Sequence, residues 1–230
     1  MRTKRKLVVF TGAGISAESG IPTFRGNDGL WEGHRVEDVA TPEAFERNPD
    51  LVHQFYNERR RAIALAQPNA GHLALVEAEL DWDVQVVTQN VDNLHERAGS
   101  NRILHLHGRI DQARSIEPPT VIVEVEEDLS AESCLADGRR LRPHIVWFGE
   151  LVPAISEAQK MVQQADALLV VGSSLQVYPA AGLLYELKAG RPLVLVDPGK
   201  AGIARSGLHH IQKGGGLGIP EALEYLKKYL

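Results

Sequence analysis

Short apolar runs alternate with longer amphipathic segments along most of the 230-residue chain. Six of the runs predict strands, and several are continuous, as strands buried on both faces of a sheet are. They cover residues 7–11, 84–88, 103–106, 144–148, 167–172 and 193–197. The amphipathic segments predict helices over 50–66, 70–80, 154–164, 179–189 and 220–229. This alternation is typical of an α/β protein with a Rossmann-type doubly wound parallel sheet.

Asn69 and Pro220 support the predicted starts of two helices. Asn69 is the predicted N-cap of the second helix, because its side chain can accept hydrogen bonds from the free amides of a first turn. Pro220 is predicted to lie in the first turn of the last helix, where its missing N–H leaves no gap in the hydrogen bonding.

Two stretches interrupt this rhythm. Residues 20–33 show neither helical nor strand periodicity, and residues 109–141 contain an alternating segment that predicts a short exposed strand in a β-rich subdomain. The chain is predicted to be one domain over 1–230. Its large part comprises 1–34, 81–108 and 142–230, and its small part comprises a helical insertion 35–80 and the β-rich insertion 109–141. The small core expected for the β-rich insertion consists of Val121, Ile122, Val123, Val125 and Leu129.

Composition narrows the class of protein. Hydrophobic residues make up 43% and charged residues 24%, which excludes a disordered or collagen-like chain. The net charge of −5 argues against binding to nucleic acid through bulk charge. Cys134 is the only cysteine, which excludes a disulfide framework and favours a reducing cytoplasm. The apolar run at 7–10 is too short for a secretory signal, and no run is long enough to span a membrane.

The first strand leads into Gly12-Ala13-Gly14-Ile15-Ser16-Ala17, a match to the pattern G-x-G-x-x-G/A. Such glycines permit a tight turn and a close approach to a pyrophosphate at a helix N-terminus. Small residues at a strand end can also serve packing alone. The position directly after the first strand favours dinucleotide binding.

The next segment argues against an ordinary dehydrogenase. Such an enzyme has an acidic residue at the end of its second strand, about 20 residues further on. Here that distance falls in the polar stretch 35–38, and the next predicted strand is 84–88. We interpret the long insertion beside the glycine-rich turn as a functional loop followed by a helical layer.

Polar side chains follow the second predicted strand in the sequence TQNVDNLH at 88–95. Open parallel sheets bind ligands at the carboxyl ends of their strands, so we expect these residues at the ligand site. A polar turn in which Asn90 or Asp92 caps the next helix is the alternative.

The third predicted strand ends in His105-Leu106-His107-Gly108. His105 and His107 share one face of a regular strand. His107 reaches the edge where Gly12, Gly14 and Asn90 are expected, and an imidazole is a suitable base near neutral pH. A metal site made of both histidines and Asp92 is less favoured, because His105 lies one strand repeat deeper.

The last two predicted strands end in Gly172-Ser173-Ser174 and in Asp197. The glycine and the hydroxyls suit contacts to the second half of a dinucleotide, and Asp197 can bind ribose hydroxyls. Each of these residues could otherwise be a simple loop residue that closes a strand. Their convergence on one edge of the sheet favours the binding role.

Five motifs together resemble the sirtuin family, the NAD-dependent protein lysine deacylases. They are GAGISAESGIPTFRG (12–26), TQNVDNLH (88–95), HLHG (105–108), RPHIVWFGE (142–150) and VGSSLQVYPA (171–180). Their order and spacing match the family over nearly the whole chain.

The resemblance implies a cofactor, NAD, and a set of residues that binds it. These residues are Gly12, Ala13, Gly14, Ser16, Glu18, Phe24, Arg25, Trp31, Gln89, Asn90, Val91, Asp92, Gly172, Ser173, Ser174, Asp197 and Gly215. Asp92 would hold the nicotinamide amide, and the catalytic residues would be Asn90, which orders the ribose and a water, and His107, the general base on a ribose hydroxyl. Phe24 would shield the reaction from water. The products would be free lysine, nicotinamide and O-acyl-ADP-ribose.

The resemblance also implies a protein partner, an acyl-lysine peptide that adds as a strand between two segments. The residues beside it would be Val146, Phe148, Gly149, Glu150, Val177 and Tyr178.

Arg59 is a cation on the otherwise apolar face of helix 50–66. It is either a residue whose charged end reaches water or one that awaits a carboxylate, which a guanidinium binds with two parallel hydrogen bonds. Tyr56-x-x-Arg59, with the small Ala40 nearby, resembles the sirtuin subgroup that removes succinyl and malonyl groups. We therefore expect desuccinylation alongside deacetylation.

The chain departs from the family at three places. Most sirtuins bind a structural zinc through four cysteines, but here that interval holds only Cys134, and Ser115 stands about where the first cysteine would fall. We therefore expect a zinc-free subdomain. Asp197 replaces an asparagine, which favours NAD over NADP because a carboxylate repels a 2′-phosphate. Gly215 stands where an alanine often contacts adenine.

Two other functions remain as alternatives. The same scaffold can support mono-ADP-ribosyl transfer or NAD hydrolysis, although variants of that kind tend to lose the base or the peptide groove. An NAD-sensing module without activity is the third possibility.

Overall fold

The computed structural model describes residues 3–23, 31, 33–200 and 205–229. Its main sheet has six parallel strands in the order β3-β2-β1-β7-β8-β9. The strands are β1 (Lys6–Thr11), β2 (Asp83–Thr88), β3 (Ile103–His105), β7 (Ala167–Val171), β8 (Leu193–Val196) and β9 (Leu208–Ile211). The predicted Rossmann-type α/β fold with an inserted smaller subdomain is confirmed.

A second sheet has three antiparallel strands in the order β5-β4-β6. These are β4 (Gly108–Ser115), β5 (Ile122–Glu124) and β6 (Leu141–Ile145). The helices of the described residues are α1 (Val36–Val39), α2 (Pro42–Arg47), α3 (Pro49–Leu65), α4 (Ala70–Ala78), α5 (Leu94–Ala98), α6 (Ile155–Gln164) and α7 (Gly215–Lys227). No helix in this part of the chain is both long and apolar enough to cross a membrane.

The central strands of the main sheet are apolar on both faces because helices cover both. Leu7 and Val9 of β1 pack with α4 and α7, and Val8 and Phe10 pack on the opposite side with α6 and the 3-10 helix Ala180–Glu186. Continuous burial of successive residues explains why these strands are uninterrupted apolar runs in the sequence.

Two element predictions are wrong. The run 144–148 was expected as a strand of the main sheet, but β6 ends at Ile145 and belongs to the small sheet, while the sixth main strand is β9. The last helix begins at Gly215, so Pro220 lies inside it rather than in its first turn. The predicted cap is confirmed, because the side chain of Asn69 accepts hydrogen bonds from the amides of α4's first turn.

A third core joins the helices α1–α3 to the small sheet. Phe55 and Tyr56 of α3 pack there with Ile110, Ile145 and Trp147. The small core predicted within 121–129 is wrong, since its five residues are only half-buried or exposed. Residues 70–78 were assigned to the small part of the domain, yet α4 packs on α7 in the main core.

The segment 128–131 of the β-rich insertion is linked to α3 by hydrogen bonds, in addition to the packing of Ile110. The Asn57 side chain donates to the carbonyl of Leu129 at 2.8 Å and accepts from its amide at 3.1 Å. Arg61 pairs with Asp128, and the amide of Ala131 donates to Asp50 at 3.1 Å. Polar contacts to α3 therefore add to the sheet pairing that holds the insertion.

Ser115, at the position of the first missing cysteine, closes a local turn. Its hydroxyl accepts from the amide of Val121 at 2.9 Å and donates to the carbonyl of Pro119 at 3.3 Å. Within the described residues, no group of three or more His, Cys, Asp or Glu side chains is arranged to hold a metal. The absence of zinc stays a prediction.

Candidate active site

The sheet has its topological switch point between β1 and β7. From β1 the chain builds outward through β2 and β3, and then returns to place β7 on the other side of β1. Ligands of open α/β sheets bind at such a point, beyond the carboxyl ends of the strands. The predicted glycine-rich turn after β1 and the Gly172–Ser174 segment after β7 meet there.

The two loops at the switch point approach each other closely. The amide of Gly14 donates to the carbonyl of Gly172 at 2.9 Å, and a Cβ on Gly14 would lie 2.6 Å from the Gly172 Cα. A Cβ on Gly12 would lie 2.8 Å from the same carbonyl oxygen. These glycines therefore let two strand ends meet, which is the packing role that the sequence left open.

Three polar side chains after β1 and β2 form one buried cluster. The Ser16 hydroxyl donates to Asp92 Oδ2 at 2.9 Å and accepts from Asn90 Nδ2 at 3.2 Å. Asp92 Oδ1 accepts from the amide of Leu94 at 3.1 Å. Burial raises the pKa of Asp92, although the bonds from Leu94 and Ser16 oppose this shift. The Asp92 carboxylate therefore orients Ser16 and binds the first amide of α5, but the N-cap of α5 is Asn93 and not Asn90 or Asp92, the two residues that the sequence alternative proposed.

His107 lies beside this cluster with its ring oriented by the backbone. Its Nδ1 is 3.0 Å from the carbonyl oxygen of Gln89. A carbonyl only accepts, so Nδ1 carries the proton and Nε2 keeps a lone pair. Burial lowers the pKa of His107, which keeps the ring neutral at pH 7. This is the protonation state that a general base requires.

His105 points at the same chain segment one residue further along. Its Nδ1 lies 3.0 Å from the carbonyl oxygen of Asn90, and its Nε2 lies 2.7 Å from Glu96 Oε1. Both ring nitrogens therefore lie within hydrogen-bonding distance of an oxygen atom. The hydrogen bond from His105 contributes to lowering the pKa of Glu96 against the effect of burial. His105 is satisfied by these contacts and is not arranged as a metal ligand.

Sequence reasoning missed a second layer of polar residues behind the site. Thr11 donates to Thr88 Oγ1 at 2.8 Å, and Thr88 Oγ1 also accepts from the amide of Asn90 at 3.0 Å. His95 Nε2 lies 3.1 Å from Thr11 Oγ1, and the ring of His72 meets that of His95 edge to face. In the sequence, Thr11 and Thr88 indicate this layer, because each is a polar residue at the end of an apolar strand.

Most of the remaining predicted cofactor residues follow strands of the main sheet. The exceptions are Phe24, Arg25 and Trp31. Gln89 donates to Ser173 Oγ at 2.9 Å, and Glu18 accepts from the amide of Gly216, beside Gly215, at 3.2 Å. Asp197 follows β8 and caps its own turn through the amide of Gly199 at 2.8 Å. Ala13 lies in the turn after β1, Val91 follows Asn90, and Ser174 is half-buried after β7. Phe24 and Arg25 lie outside the described residues.

Trp31 was predicted with the cofactor residues but lies against α3. Its ring centroid is 4.9 Å from that of Phe55 and 6.3 Å from that of Tyr56. The guanidinium of Arg59 lies 3.2 Å from the Phe55 ring centroid, and its Nη1 donates to the Phe55 carbonyl at 2.6 Å. Tyr56 and Arg59 are 1% and 7% exposed, so α3 presents a phenol and a cation inside the protein.

The predicted peptide segment after β6 is hydrogen-bonded to the backbone of His107 and to the end of α1. The amide of Val146 donates to the carbonyl of His107 at 2.9 Å, and the amide of Phe148 donates to that of Ala40 at 3.0 Å. Phe148 and Tyr178 are 44% and 70% exposed. Gly149 is exposed beside Phe148, and Val177 is half-buried beside Tyr178. Exposed aromatic side chains on these two segments suit a surface that binds another chain.

Glu150 lies at the centre of a charged network that the sequence did not predict. Arg142 donates to both of its carboxylate oxygens, at 2.7 and 3.0 Å, and Arg114 adds a contact at 3.1 Å. The amide of Trp147 donates to the same carboxylate at 2.8 Å. These bonds lower the pKa of Glu150, although burial opposes them. Glu150 therefore fixes the conformation of the segment 146–150 through its bonds to Arg142 and to the amide of Trp147.

The fold and the site are those of the α/β proteins that bind nucleotides across a switch point. The Sir2 family model matches residues 12–179. The chain belongs to this family, the sirtuins, which confirms the resemblance found in the sequence.

Known relatives extend the match over most of the chain. The chain is 56% identical over 191 residues to an NAD-dependent protein deacylase of Aggregatibacter actinomycetemcomitans, covering 83% of this chain and 92% of the relative. It is 47% identical over 229 residues to an NAD-dependent protein deacylase of Bacteroides thetaiotaomicron, covering 96% and 98%. A solved Sir2 homologue–NAD complex superimposes with a TM-score of 0.86 at 38% identity, covering 98% and 90%.

Proposed function

We propose that this sirtuin removes succinyl and malonyl groups, as well as acetyl groups, from protein lysines, with NAD as co-substrate. NAD-dependent protein deacylation is the activity by which its relatives at 47–56% identity are named. The preference for acidic acyl groups rests on one observation, the burial of Tyr56 and Arg59 one turn apart on the same face of α3. The products we propose are lysine, nicotinamide and O-acyl-ADP-ribose.

The residues at the switch point fit NAD by their chemistry. A dinucleotide needs a close approach of the backbone, hydroxyls for its phosphates and ribose, and a polar group for the nicotinamide amide. The turn after β1 has no side chain at Gly12 or Gly14, which supports the first, and Ser173 and Asp197 offer a hydroxyl and a carboxylate after β7 and β8. Asp92, held by Ser16, is the buried polar group.

Bound NAD would supply the bond between nicotinamide and ribose, which breaks to release nicotinamide with the electron pair while the acyl oxygen bonds to the ribose carbon. Asp92 would accept a hydrogen bond from the nicotinamide amide, in an orientation set by Ser16 and by the amide of Leu94. Asn90 is positioned by its own bond to Ser16 and by Thr88. His107 takes a proton from a ribose hydroxyl at Nε2, because Nδ1 is committed to Gln89.

The acyl preference follows from electrostatics. A succinyl or malonyl group ends in a carboxylate, and burying it beside neutral groups alone would be costly. Arg59 brings a permanent cation, and a guanidinium can bind a carboxylate through two parallel hydrogen bonds. Tyr56 adds a phenol that burial keeps protonated, since its pKa is raised. An acetyl group needs neither residue.

The test compares one peptide sequence that carries acetyl-, succinyl- or malonyl-lysine. Each peptide is incubated with the enzyme and NAD, and mass spectrometry follows the peptide, nicotinamide and the acyl product. We expect NAD-dependent loss of all three groups. Arg59→Met should lower kcat/KM for the succinyl peptide about 10- to 100-fold more than for the acetyl peptide, the range expected for a hydrogen-bonded charge.

Arg61→Met is the matched control. Arg61 lies on α3 with an exposed side chain and pairs with Asp128, so its loss should leave the ratio of succinyl to acetyl activity unchanged. Equal losses of both activities in Arg59→Met would contradict the acyl assignment. Nicotinamide release without peptide, or transfer of ADP-ribose to protein, would instead support the alternative NAD hydrolase or transferase.

A further inference from the structure

Trp147 is a buried residue that links the peptide segment to the acyl-reading face of α3. Its indole Nε1 donates to the Tyr56 hydroxyl oxygen at 3.0 Å. The side chain is 3% exposed, and its ring centroid lies 5.3 Å from that of Phe45. An indole N–H is a donor only, so the direction of this hydrogen bond is fixed.

We infer that Trp147 is a specificity-determining residue for acidic acyl groups, because its indole N–H orients the Tyr56 hydroxyl toward the acyl carboxylate. Trp147 does not need to contact the substrate for this role. It acts through Tyr56 and is therefore a positioning residue. The inference rests on the proposed desuccinylase function and adds the residue that directs one of its two polar groups.

The argument begins with the single proton of a phenol. A tyrosine hydroxyl can accept hydrogen bonds while donating one. Trp147 occupies an acceptor position of Tyr56, so the hydroxyl proton points away from the indole. Burial raises the pKa of Tyr56, which keeps that proton in place at any working pH. The result is a donor with one preferred direction, suited to a carboxylate and of no use to an acetyl methyl group.

The indole ring of Trp147 is also held in place by a cation. The guanidinium carbon of Arg142 lies 3.3 Å from the Trp147 ring centroid. Arg142 is fixed in turn by its two contacts to Glu150 and by a bond to the carbonyl of Ile145 at 3.0 Å. Glu150 accepts from the amide of Trp147, which closes the arrangement. A donor held this firmly loses little conformational freedom when the substrate binds.

The test separates this polar role from simple packing. Trp147→Phe keeps an aromatic ring and removes the N–H. We expect kcat/KM for the succinyl peptide, divided by that for the acetyl peptide, to fall about 5- to 10-fold, the effect of one hydrogen bond. The loss should appear in KM rather than kcat, because the carboxylate contact is made equally in the ground and transition states.

A double variant tests whether the effect passes through Tyr56. Tyr56→Phe alone should lower the ratio, and Trp147→Phe added to it should lower it no further. Phe45→Leu is the packing control. Phe45 contacts the same indole without a hydrogen bond, so both acyl activities should fall by the same factor. If Trp147→Phe does not fold, benzothienylalanine at position 147 keeps the indole shape and replaces the N–H with sulfur.

The outcomes distinguish the two proposals. An unchanged ratio in Trp147→Phe, or ratio effects of Trp147→Phe and Tyr56→Phe that multiply, overturns the role of Trp147. If Arg59→Met still lowers the ratio in that case, the proposed desuccinylase function stands. If the unaltered enzyme does not remove succinyl groups at all, both proposals are wrong.

Discussion

His107 and His105 donate from Nδ1 to the carbonyls of two consecutive residues, Gln89 and Asn90, each at 3.0 Å. The residues after β2 are thereby held against the end of β3 by two imidazole rings. The first of these bonds also selects the tautomer of His107. The same contact that fixes the position of the loop therefore prepares the lone pair that accepts a proton.

The activity should persist well into weakly acidic conditions. We propose His107 as a base that acts in its neutral form, and burial lowers its pKa from the usual value of 6.5. The acid limb of kcat/KM for an acetyl peptide should therefore have its midpoint below pH 6.5, measured under NAD saturation. A midpoint at or above 6.5 would contradict the buried, neutral base. NAD binding measured by calorimetry over the same range shows whether cofactor affinity contributes to the limb.

Three buried histidines should make the fold sensitive to acid. Burial lowers the pKa of His53 and His72 to about 4 and that of His95 to about 3. Each ring is neutral when folded and takes up a proton on unfolding below pH 6.5. Their contribution to stability is complete above 6.5 and is lost as the pH falls toward 4. Three protons correspond to a slope of about 4 kcal/mol per pH unit.

His53→Leu isolates one of these contributions. Neither ring nitrogen of His53 has a hydrogen-bond partner among the described residues, and the ring is 1% exposed. Leucine should therefore be tolerated at neutral pH and should reduce the slope of unfolding free energy between pH 6 and 4 by about 1.4 kcal/mol per pH unit. Urea titrations at several pH values give this slope. An unchanged slope would show that His53 is charged when folded.

The β-rich insertion should depend on Asn57 and not on zinc. Asn57→Ala leaves both backbone groups of Leu129 without their partner, which should cost about 1–3 kcal/mol of unfolding free energy. Gln54→Ala on the exposed side of α3 removes only a bond to Glu58 and should be near neutral. A chelator should leave the Tm of the unaltered protein unchanged. A drop in Tm with chelator would reveal a structural metal.

Gly14→Ala should damage the site and the fold together. Its Cβ would lie 2.6 Å from the Gly172 Cα, so the turn after β1 would have to move away from β7. We expect NAD affinity, measured by calorimetry, to fall at least about tenfold, with a loss of 1–3 kcal/mol of stability typical of overpacking. Gly182→Ala is the control, because its Cβ would meet no atom within 4 Å. Equal affinities of the two variants would contradict the close approach.

The site residues that come directly after the strands could be predicted from the sequence. Parallel strands place their carboxyl ends at one edge, so polar residues after β1, β2 and β3 had to meet. Asn90, Asp92 and His107 lie close together for that reason. Buried strands are also recognisable as apolar runs, which is why β1, β2 and β7 were found.

Other features depend on contacts that periodicity does not encode. Ile145 and Trp147 of the run 144–148 are buried against α3 and the small sheet, but an apolar residue in a sequence does not indicate which of two sheets it will join. β9 contains His209 and His210 and shows no apolar run at all. The helix α7 starts in a glycine-rich segment that reads as a loop, and Glu18 contacts its first turn from far along the chain. The bond between Asn57 and Leu129 joins residues 72 positions apart.

Helix α3 carries two adjacent residues with different roles: Tyr56, which we propose binds the acyl group, and Asn57, which binds the β-rich insertion through Leu129. A chimera that receives this helix from a relative with another acyl preference would change two things at once. It would change the proposed acyl-binding residue and the contact to the β-rich insertion. To transfer the acyl preference without loss of stability, the chimera should therefore also receive the 126–131 segment of the same relative. Substitutions in α3 that change the choice of substrate are therefore expected to change the stability of the insertion as well.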